Sequence, residues 1–460
     1  MTTITQLAAT LSELFTSVAN RIAEETQFVR RRSKLTGAAF AQALVSGWLA
    51  NPQATEEQLA QAAAAVGVPI TAQGLVARFS RPAAELMRRL LEMAVGQAIA
   101  ARPAAVPILQ RFNGVYLQDS TIITLPDELA DIWHGSGGSS SHNTVAGLKV
   151  QVQWDYSAGQ LRQIVLQDSR VPDGTGPLQT APLPAGALRL ADLGYFSLPV
   201  LAALSADGVY WLSRPQANTL LWTPTGQCLD QLTLMRQQRA DQVEQLVWLG
   251  KAERLSARLL AVQVPPEVAA QRRRRLRQEA RRKGQTVSQA RLALADWTIL
   301  VTNAPAELLT LGEALVLMHC RWQIELLFKL WKSQGQVDQS RSQNPWRILT
   351  EVYAKLLAMV VQHWLFLVSH WSCADRSLFK AAQTVRSHAL HLAVHWGAPD
   401  QLAEAIAIIA RCLLAGCRIN KSRVTPRTYQ QLQALDAFAG IRLDLDPQWD
   451  MLSLVDMASP

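Results

Sequence analysis

The spacing of apolar residues changes twice along this chain of 460 residues, and these changes constrain its fold class. Up to about residue 102 apolar residues recur every three or four positions, which predicts helices. From about residue 110 they alternate with polar residues, which predicts strands. The expected strands are 114–125, 147–156, 161–168, 187–192 and 208–215, with a helix before the last. Residues 341–460 return to helical spacing, so the sequence predicts an α/β core between helical regions.

The composition favours a protein that acts on nucleic acid. Net charge is +9, the isoelectric point is about 9.6, and most of the 45 basic residues are arginine. Arginine pairs with phosphate through two parallel hydrogen bonds, so this balance suits a nucleic-acid partner. A GC-rich genome would also enrich arginine, although it does not account for the net charge.

The sequence predicts a cytoplasmic protein with no membrane partner. Its five cysteines are scattered and form neither a disulfide framework nor a zinc pattern. The N-terminus lacks a basic stretch followed by an apolar run, so no signal peptide is expected. The most apolar window, 356–371, contains Gln362, His363 and His370, which favours a core helix over a membrane span.

Residues 56–80 have the spacing of a helix-turn-helix. An alanine-rich helix reaches Gly67, a turn follows, and Thr71 is placed to cap a second helix that ends near Arg78. An ordinary helical hairpin explains the same pattern. If the hairpin binds DNA, Arg78 is its candidate contact.

A second basic element lies in a region, 213–299, where short strands are followed by the stretch QRRRRLRQEARRKGQ. We interpret this region as an insertion that carries a basic helix. Its candidate phosphate contacts are Arg272, Arg273, Arg274 and Arg275. A solvated helix face is the alternative.

Two aspartates lie where an unpaired carboxylate would be costly. Asp119 is inside the first predicted strand between apolar flanks, and Asp192 ends the fourth. A bound cation would compensate each charge. A hydrogen-bonded turn or cap aspartate is the simpler interpretation of either one alone.

The stretch HCRWQIELLFKLWKS, residues 319–333, is apolar yet carries four charged residues. At about 100° per residue, Arg321, Glu325, Lys329 and Lys332 fall within an arc of about 80° of one helix. Three cations for one carboxylate suggest that an anion lies along this strip. If Glu325 faces the two aspartates, three carboxylates would hold two divalent ions about 3.5–4 Å apart, beside cations that bind phosphate.

Four motifs together resemble DDE transposases of bacterial insertion sequences, the "IS Four" family. RWQIELLFKLWKS resembles the family's Tyr-Arg-Glu-Lys signature. QDSTIITLP around Asp119 and ADLGYFS around Asp192 resemble its two aspartate motifs, and WTILVTNAP matches the stretch before the signature. The resemblance covers roughly residues 110–360.

This resemblance implies a ribonuclease-H-like core interrupted by a β-rich insertion, with helical N- and C-terminal domains. The implied parts are a helical DNA-binding domain (1–105), the first part of the core (106–212), the insertion (213–299), the second part of the core (300–380) and a helical region suited to dimerisation (381–460). The family acts as a homodimer on the inverted repeats at transposon ends and on target DNA. The implied location is the bacterial cytoplasm, at the nucleoid.

The resemblance also implies roles for individual residues. Asp119, Asp192 and Glu325 would be catalytic and hold two Mg²⁺ ions, for which Mn²⁺ can substitute. Arg321, Lys329 and Lys332 would contact the DNA backbone near the cleaved end. Trp297 would stack on a flipped-out base, and Trp322 would occupy the space that the base leaves.

Two positions depart from the family pattern: Met318 stands where the signature has tyrosine, and Leu193 where an arginine commonly follows the second aspartate. Both changes remove expected DNA contacts, and neither removes a metal ligand. The favoured function is therefore cut-and-paste transposition. The alternatives are a decayed or domesticated copy that binds specific DNA without cutting, and a related nuclease without strand transfer.

Overall fold

A computed structural model describes residues 3–31, 34–136, 145–238, 240–282, 284–420 and 426–437. The chain forms two compact units, each built from separate segments. The first contains Met1–Val106, Asp119–Pro172 and Gln323–Pro426, and the second contains Pro107–Gln118, Asp173–Trp322 and Arg427–Pro460. Lys283 of the basic stretch and part of the predicted C-terminal region 381–460 lie outside the described residues.

Helices and strands both contribute heavily, and the predicted mixed α/β class is confirmed. The helices are α1 (Thr3–Glu13), α2 (Ala19–Glu25), α3 (Gly37–Ala50), α4 (Glu56–Ala65), α5 (Ala72–Val76), α6 (Arg81–Val95), α7 (Pro107–Gln110), α8 (Leu198–Ala206), α9 (Gln231–Gln237), α10 (Pro266–Arg282), α11 (Gln289–Ala293), α12 (Leu311–Cys320), α13 (Trp322–Ser333), α14 (Pro345–His370), α15 (Leu378–Ser387), α16 (Ala389–Ala393), α17 (Pro399–Gly416) and α18 (Thr428–Ala437). The strands are β1 (Val115–Leu125), β2 (Ala146–Asp155), β3 (Gln160–Asp168), β4 (Leu188–Ala191), β5 (Tyr210–Ser213), β6 (Leu221–Trp222), β7 (Cys228–Leu229), β8 (Gln242–Leu249), β9 (Leu255–Gln263) and β10 (Trp297–Thr302).

The predicted helical hairpin near the N-terminus is present. Thr55 caps α4 in a capping box with Gln58, and the Thr71 hydroxyl accepts from the backbone of Gly74 to cap α5. Gly67 between the helices has φ +86°, a conformation that glycine adopts at low cost. Helix α5 has only five residues, about one and a half turns, which is short for an element that reads a DNA groove.

Helix α14 forms the centre of the first unit and packs against α3, α6 and α17. It is long and apolar enough to cross a membrane by length and composition, but 89% of its most apolar 18-residue window is buried. A buried core helix is commonly as long and as apolar as this one. In the first half of this helix Lys355 pairs with Glu351 at 2.7 Å and donates to the carbonyls of Gln336 and Gln339, which holds the turn after α13 against α14.

His363 of α14 is a buried neutral group in the same unit. Its Nε2 lies 2.6 Å from the Gly159 carbonyl oxygen, and because a carbonyl only accepts, this nitrogen carries the proton. Burial lowers the pKa of His363 to about 4. The imidazole therefore stays uncharged in the folded protein under mildly acidic conditions.

The second unit is built on a mixed sheet. Strand β1 pairs in parallel with β4, and β4 in parallel with β5. From there β10, β9, β8, β6 and β7 continue the sheet as antiparallel neighbours. Apolar residues of β5, α8, α9, β8 and β9 form one buried cluster, which includes Trp211, Leu234 and Val247. In the first unit β2 pairs antiparallel with β3.

The predicted single helix over residues 319–333 is wrong in one respect. Helix α12 ends at Cys320, and α13 begins at Trp322. Arg321 lies between them with φ −51° and ψ −33°, so the backbone stays in the helical region and the interruption is local.

The buried histidine predicts a specific loss of stability in acid. His363 has a folded-state pKa of about 4 and an unfolded value near 6.5, so only the unfolded chain takes up this proton between these values. The stability that neutral His363 contributes is complete above pH 6.5 and falls as the pH is lowered toward 4, by about 3 kcal/mol in all. Urea denaturation of wild type and His363→Gln at pH 7 and pH 4.5 measures this effect. Glutamine keeps a donor for Gly159 without titrating, so an equal pH dependence in both proteins would contradict the prediction.

Candidate active site

The two aspartates follow residues that are register partners. In the second unit Gln118 of β1 is opposite Ala191 of β4, and these are the last partners of the parallel pair. Asp119 and Asp192 are the next residues in the chain. Burial along β1 changes at the same point, because Val115–Gln118 are buried whereas Asp119 is half-buried. The Asp119 carboxylate accepts from the backbone nitrogen of Ser120 at 2.8 Å.

Asp192 begins a tight turn at the end of β4. It caps the 3₁₀ helix Leu193–Tyr195, and its carbonyl accepts from the Tyr195 nitrogen at 2.9 Å. Its side chain is 54% exposed and lies 4.0 Å from an Arg321 nitrogen. This distance is at the limit of an ion pair, and the Asp192 carboxylate is more exposed than the partly buried Arg321, so it is accessible to other ligands.

The charged strip of α13 has the predicted character. Glu325, Lys329 and Lys332 are half-buried, while the faces beside them bury Ile324, Leu327, Phe328, Leu330 and Trp331. The Lys332 ammonium donates to the Ile122 carbonyl at 3.0 Å. This bond joins α13, which carries Glu325, to the part of β1 that follows Asp119, all within the first unit.

The support for metal binding by the predicted acids comes from the chemistry of their side chains. Among the described residues, no group of three or more His, Cys, Asp or Glu side chains is arranged to hold a metal ion. The three acids predicted for this purpose offer only carboxylate oxygens, the donors that Mg²⁺ and Mn²⁺ prefer. The donor set therefore fits the expected ions, and the shared site stays a prediction.

A cavity of about 740 Å³ in the second unit brings several predicted site residues together. Those that line it are Asp192, Arg272, Arg275, Trp297, Arg321 and Trp322, together with the two departures Leu193 and Met318. Five arginines and two carboxylates face the cavity, and this excess of positive charge favours an anionic occupant.

Three basic residues of this cavity were not predicted from the sequence: Arg214 after β5, Arg291 on α11 and His319 in the last turn of α12. Arg214 and Arg291 are single charges in segments without a charge run. His319 is adjacent to the signature, but an isolated histidine gives no signal of its own. Only the folding of distant segments around one cavity shows that they belong together.

The four adjacent arginines of α10 have different environments. Arg272 donates to the Trp297 carbonyl at 3.1 Å and to the Thr298 hydroxyl at 2.9 Å. Arg273 forms an ion pair with Asp296. Arg274 is exposed and Arg275 lines the cavity. A helix turns about 100° per residue, so a run of like residues cannot share one face.

The two tryptophans also differ in setting. Trp297 is the first residue of β10, packs against the apolar cluster and lines the cavity at the same time. Trp322 is half-buried at the start of α13 and lines the same cavity. Arg78 is half-buried after α5 in the first unit and is not part of this cavity.

Comparison with known proteins agrees with the geometry. A family model described as the transposase DDE domain matches residues 110–361, more than half of the chain. The chain belongs to the DDE transposase family. The resemblance predicted from the four motifs is thereby confirmed.

The similar proteins are transposases of insertion sequences. The chain is 28% identical over 371 residues to the transposase for insertion sequence element IS231C of Bacillus thuringiensis subsp. berliner, covering 75% of this chain and 76% of that one. It is 24% identical over 375 residues to the transposase for IS1151 of Clostridium perfringens, with coverage of 76% and 78%. A cryo-EM structure of the piggyBac transposase synaptic complex with hairpin DNA shows a weak likeness, with a TM-score of 0.46 at 10% identity over 93% of this chain and 84% of that one.

The division among the α10 arginines predicts which of them govern the salt dependence of DNA binding by this transposase. Affinity for DNA falls as salt rises, so the slope of log affinity against log salt is negative. Replacing the exposed Arg274 and Arg277 by alanine should make this slope less steep by about 0.9 for each phosphate that the protein no longer neutralises. Arg273→Ala is the matched control, because that side chain is paired with Asp296. Titration of duplex DNA at several salt concentrations measures the slopes. A larger change in Arg273→Ala than in the double variant would contradict this assignment.

Proposed function

We propose that this protein is a cut-and-paste DNA transposase that cleaves transposon ends at their inverted repeats and joins them to target DNA. The single observation that carries the proposal is the parallel register of β1 and β4, whose last partners are followed in the chain by Asp119 and Asp192. The arginine-lined cavity at Asp192 supports the same function, because phosphodiesters are anions.

The three acids are proposed to meet at one edge of a ribonuclease-H-like core. Neighbouring strands lie about 4.8 Å apart, so side chains that follow register partners of a parallel pair start close together. Carboxyl ends of parallel strands are also where α/β proteins place their sites. For Glu325 the support is the Lys332–Ile122 hydrogen bond, which holds α13 against β1.

In this proposal Asp119, Asp192 and Glu325 hold two Mg²⁺ ions. When bound, such ions lower the pKa of an attacking water and stabilise the leaving oxygen. In the first step water forms the new bond to phosphorus, and the 3′ oxygen at the transposon end leaves. In the second step that 3′-OH attacks a phosphodiester of the opposite strand or of the target by in-line displacement, so one phosphodiester bond forms as another breaks and no energy source is needed.

The basic and aromatic side chains position the DNA. Arg321, with Arg214, Arg272 and Arg275 of the same cavity, is proposed to bind backbone phosphates, and Lys329 and Lys332 extend this contact along α13. Trp297 is proposed to stack on an unpaired base, which is supported by its position in the lining of the cavity and its packing against the apolar cluster. Stacking recovers about 1–3 kcal/mol per base.

The other parts of the chain are proposed to act as predicted from the sequence. The helical segment 1–105 binds DNA, with Arg78 as a candidate contact, and the insertion 213–299 carries the basic helix α10 between the core segments 106–212 and 300–380. The C-terminal region 381–460 is proposed to contribute to a homodimer in the synaptic complex. The protein would then act at the nucleoid in the bacterial cytoplasm.

Removing one acid should abolish cleavage without preventing end binding. Asp119→Asn, Asp192→Asn and Glu325→Gln are each expected to lower cleavage of a supercoiled plasmid carrying the transposon ends by at least about 100-fold. Glu279→Gln is the matched control, because Glu279 is a carboxylate of the same cavity outside the proposed triad. Wild-type protein with Mg²⁺ should give double-strand breaks and joined products.

The same plasmid assay separates the alternatives. Binding without cleavage by the wild-type protein would indicate a decayed or domesticated copy, the alternative that Met318 favours. Cleavage without joining would indicate a nuclease. Equal loss in Glu279→Gln and in the three acid variants would show that the triad has no special role.

Met318 predicts a gain of function. It is 9% exposed at the cavity wall and cannot donate a hydrogen bond. Met318→Tyr supplies a hydroxyl where the family signature has one, so the dissociation constant for end DNA should fall about fivefold, the effect of one added hydrogen bond. Met318→Phe adds the ring without the hydroxyl and should leave affinity unchanged, and thermal melting checks that both variants are folded. Equal affinities of the two variants would contradict this placement.

A further inference from the structure

Arg189 of β4 is a buried cation three residues before Asp192. Its side chain is 2% exposed, and its guanidinium lies 5.9 Å from the ring of Tyr195, which is also buried. Burial lowers the pKa of Arg189 to about 10, which leaves it charged at neutral pH. A buried cation is retained at a cost in stability, so its presence calls for a reason.

The partners of Arg189 are neutral. Its Nε donates to Gln118 Oε1 at 2.5 Å, and one terminal nitrogen donates to Gln179 Oε1 at 2.7 Å. Both glutamines are themselves buried. Among the described residues the structure gives Arg189 no carboxylate partner, so its charge is balanced by two amide oxygens beside the Tyr195 ring.

The arginine fixes how each amide is turned. Because a guanidinium only donates, each glutamine must direct its oxygen to Arg189 and its nitrogen away. The Gln118 nitrogen then donates to the Leu178 carbonyl at 3.2 Å, and the Gln179 nitrogen donates to the Tyr195 carbonyl at 2.9 Å. One cation thereby orders four backbone segments.

These links enclose the turn that Asp192 begins. Tyr195 ends the 3₁₀ helix that Asp192 caps, and its nitrogen donates to the Asp192 carbonyl. Arg189 holds the strand before Asp192, while Gln179 holds the turn after it. Gln118 extends the same network to the residue that precedes Asp119.

We propose that Arg189, through Gln179 and the Tyr195 carbonyl, is a positioning residue that sets the place of Asp192 for divalent-metal binding. Arg189 does not touch substrate or metal. It holds the backbone on both sides of Asp192, so the carboxylate is presented in one position. This inference rests on the proposed function, because it acts through Asp192 as a metal ligand.

The test is Gln179→Glu. The carboxylate keeps a partner for Arg189 and neutralises its charge, but it cannot donate to the Tyr195 carbonyl. If Arg189 has only a structural role, the Gln179→Glu variant should be as stable as the wild-type protein and fully active. A positioning role predicts that Mn²⁺ binds the protein–DNA complex about 10-fold more weakly, or more, and that single-turnover cleavage slows similarly.

Two readouts besides cleavage make the test decisive. Electron paramagnetic resonance of Mn²⁺ measures metal affinity directly, and end-DNA affinity should stay unchanged. Asn303→Asp is the matched control, since it removes an amide bond to the Val209 carbonyl elsewhere in the second unit. It should leave Mn²⁺ affinity at the wild-type value. Arg189→Lys retains a cation and should keep more of the Mn²⁺ affinity than Arg189→Met, which tests the proposal if Gln179→Glu does not fold.

Asp192→Asn separates the positioning role from the proposed function. If it loses Mn²⁺ binding while folded Gln179→Glu binds as wild type, the positioning role is wrong and the proposed function stands. If Asp192→Asn itself binds Mn²⁺ as wild type, Asp192 is not a ligand, and both proposals fall. Equal loss in Gln179→Glu and Asn303→Asp would also overturn the positioning role.

Discussion

The parallel pairing of β1 with β4 is the constraint on which the proposed chemistry depends. Parallel neighbours present their carboxyl ends at the same edge, and the residues after the last partners are Asp119 and Asp192. A shift of one residue in this pairing would turn either side chain to the opposite face of the sheet. The apolar residues Val115 and Leu188, which precede the two acids, are themselves register partners and are fully buried. The pairing of these buried strands thus sets the positions in the sheet from which Asp119 and Asp192 follow.

Cations in this protein serve different purposes according to their burial. Arg189 and Lys355 are nearly inaccessible and bond to amides, carbonyls or a buried carboxylate, so they order the backbone around them. Arginines that line the cavity or lie on the exposed face of α10 are accessible to solvent and are suited to contact a phosphate backbone. Because desolvating a cation is costly, Arg189 and Lys355 are each surrounded by oxygen acceptors.

Local sequence patterns predicted the elements well, and for identifiable reasons. The strands around Asp119 and Asp192 follow from alternation, and Thr55, Thr71 and Gly67 mark the ends of the first helical hairpin through capping and left-handed geometry. The interruption at Arg321 was not predicted, because apolar spacing continues across it. The cavity residues Arg214, Arg291 and His319 were also missed, since nothing in their immediate neighbourhood sets them apart from surface residues.

The sequence by itself determined the family and the mixed α/β class, because these are encoded in short motifs and in the period of apolar residues, and it predicted three acids from the family resemblance. Tertiary structure alone decided which arginines of α10 are paired internally, which basic residues share the cavity with Asp192, and that a buried arginine with neutral partners lies behind it. These features depend on contacts between residues far apart in the chain. Their energies come from burial and from the choice of partner, neither of which a local pattern records.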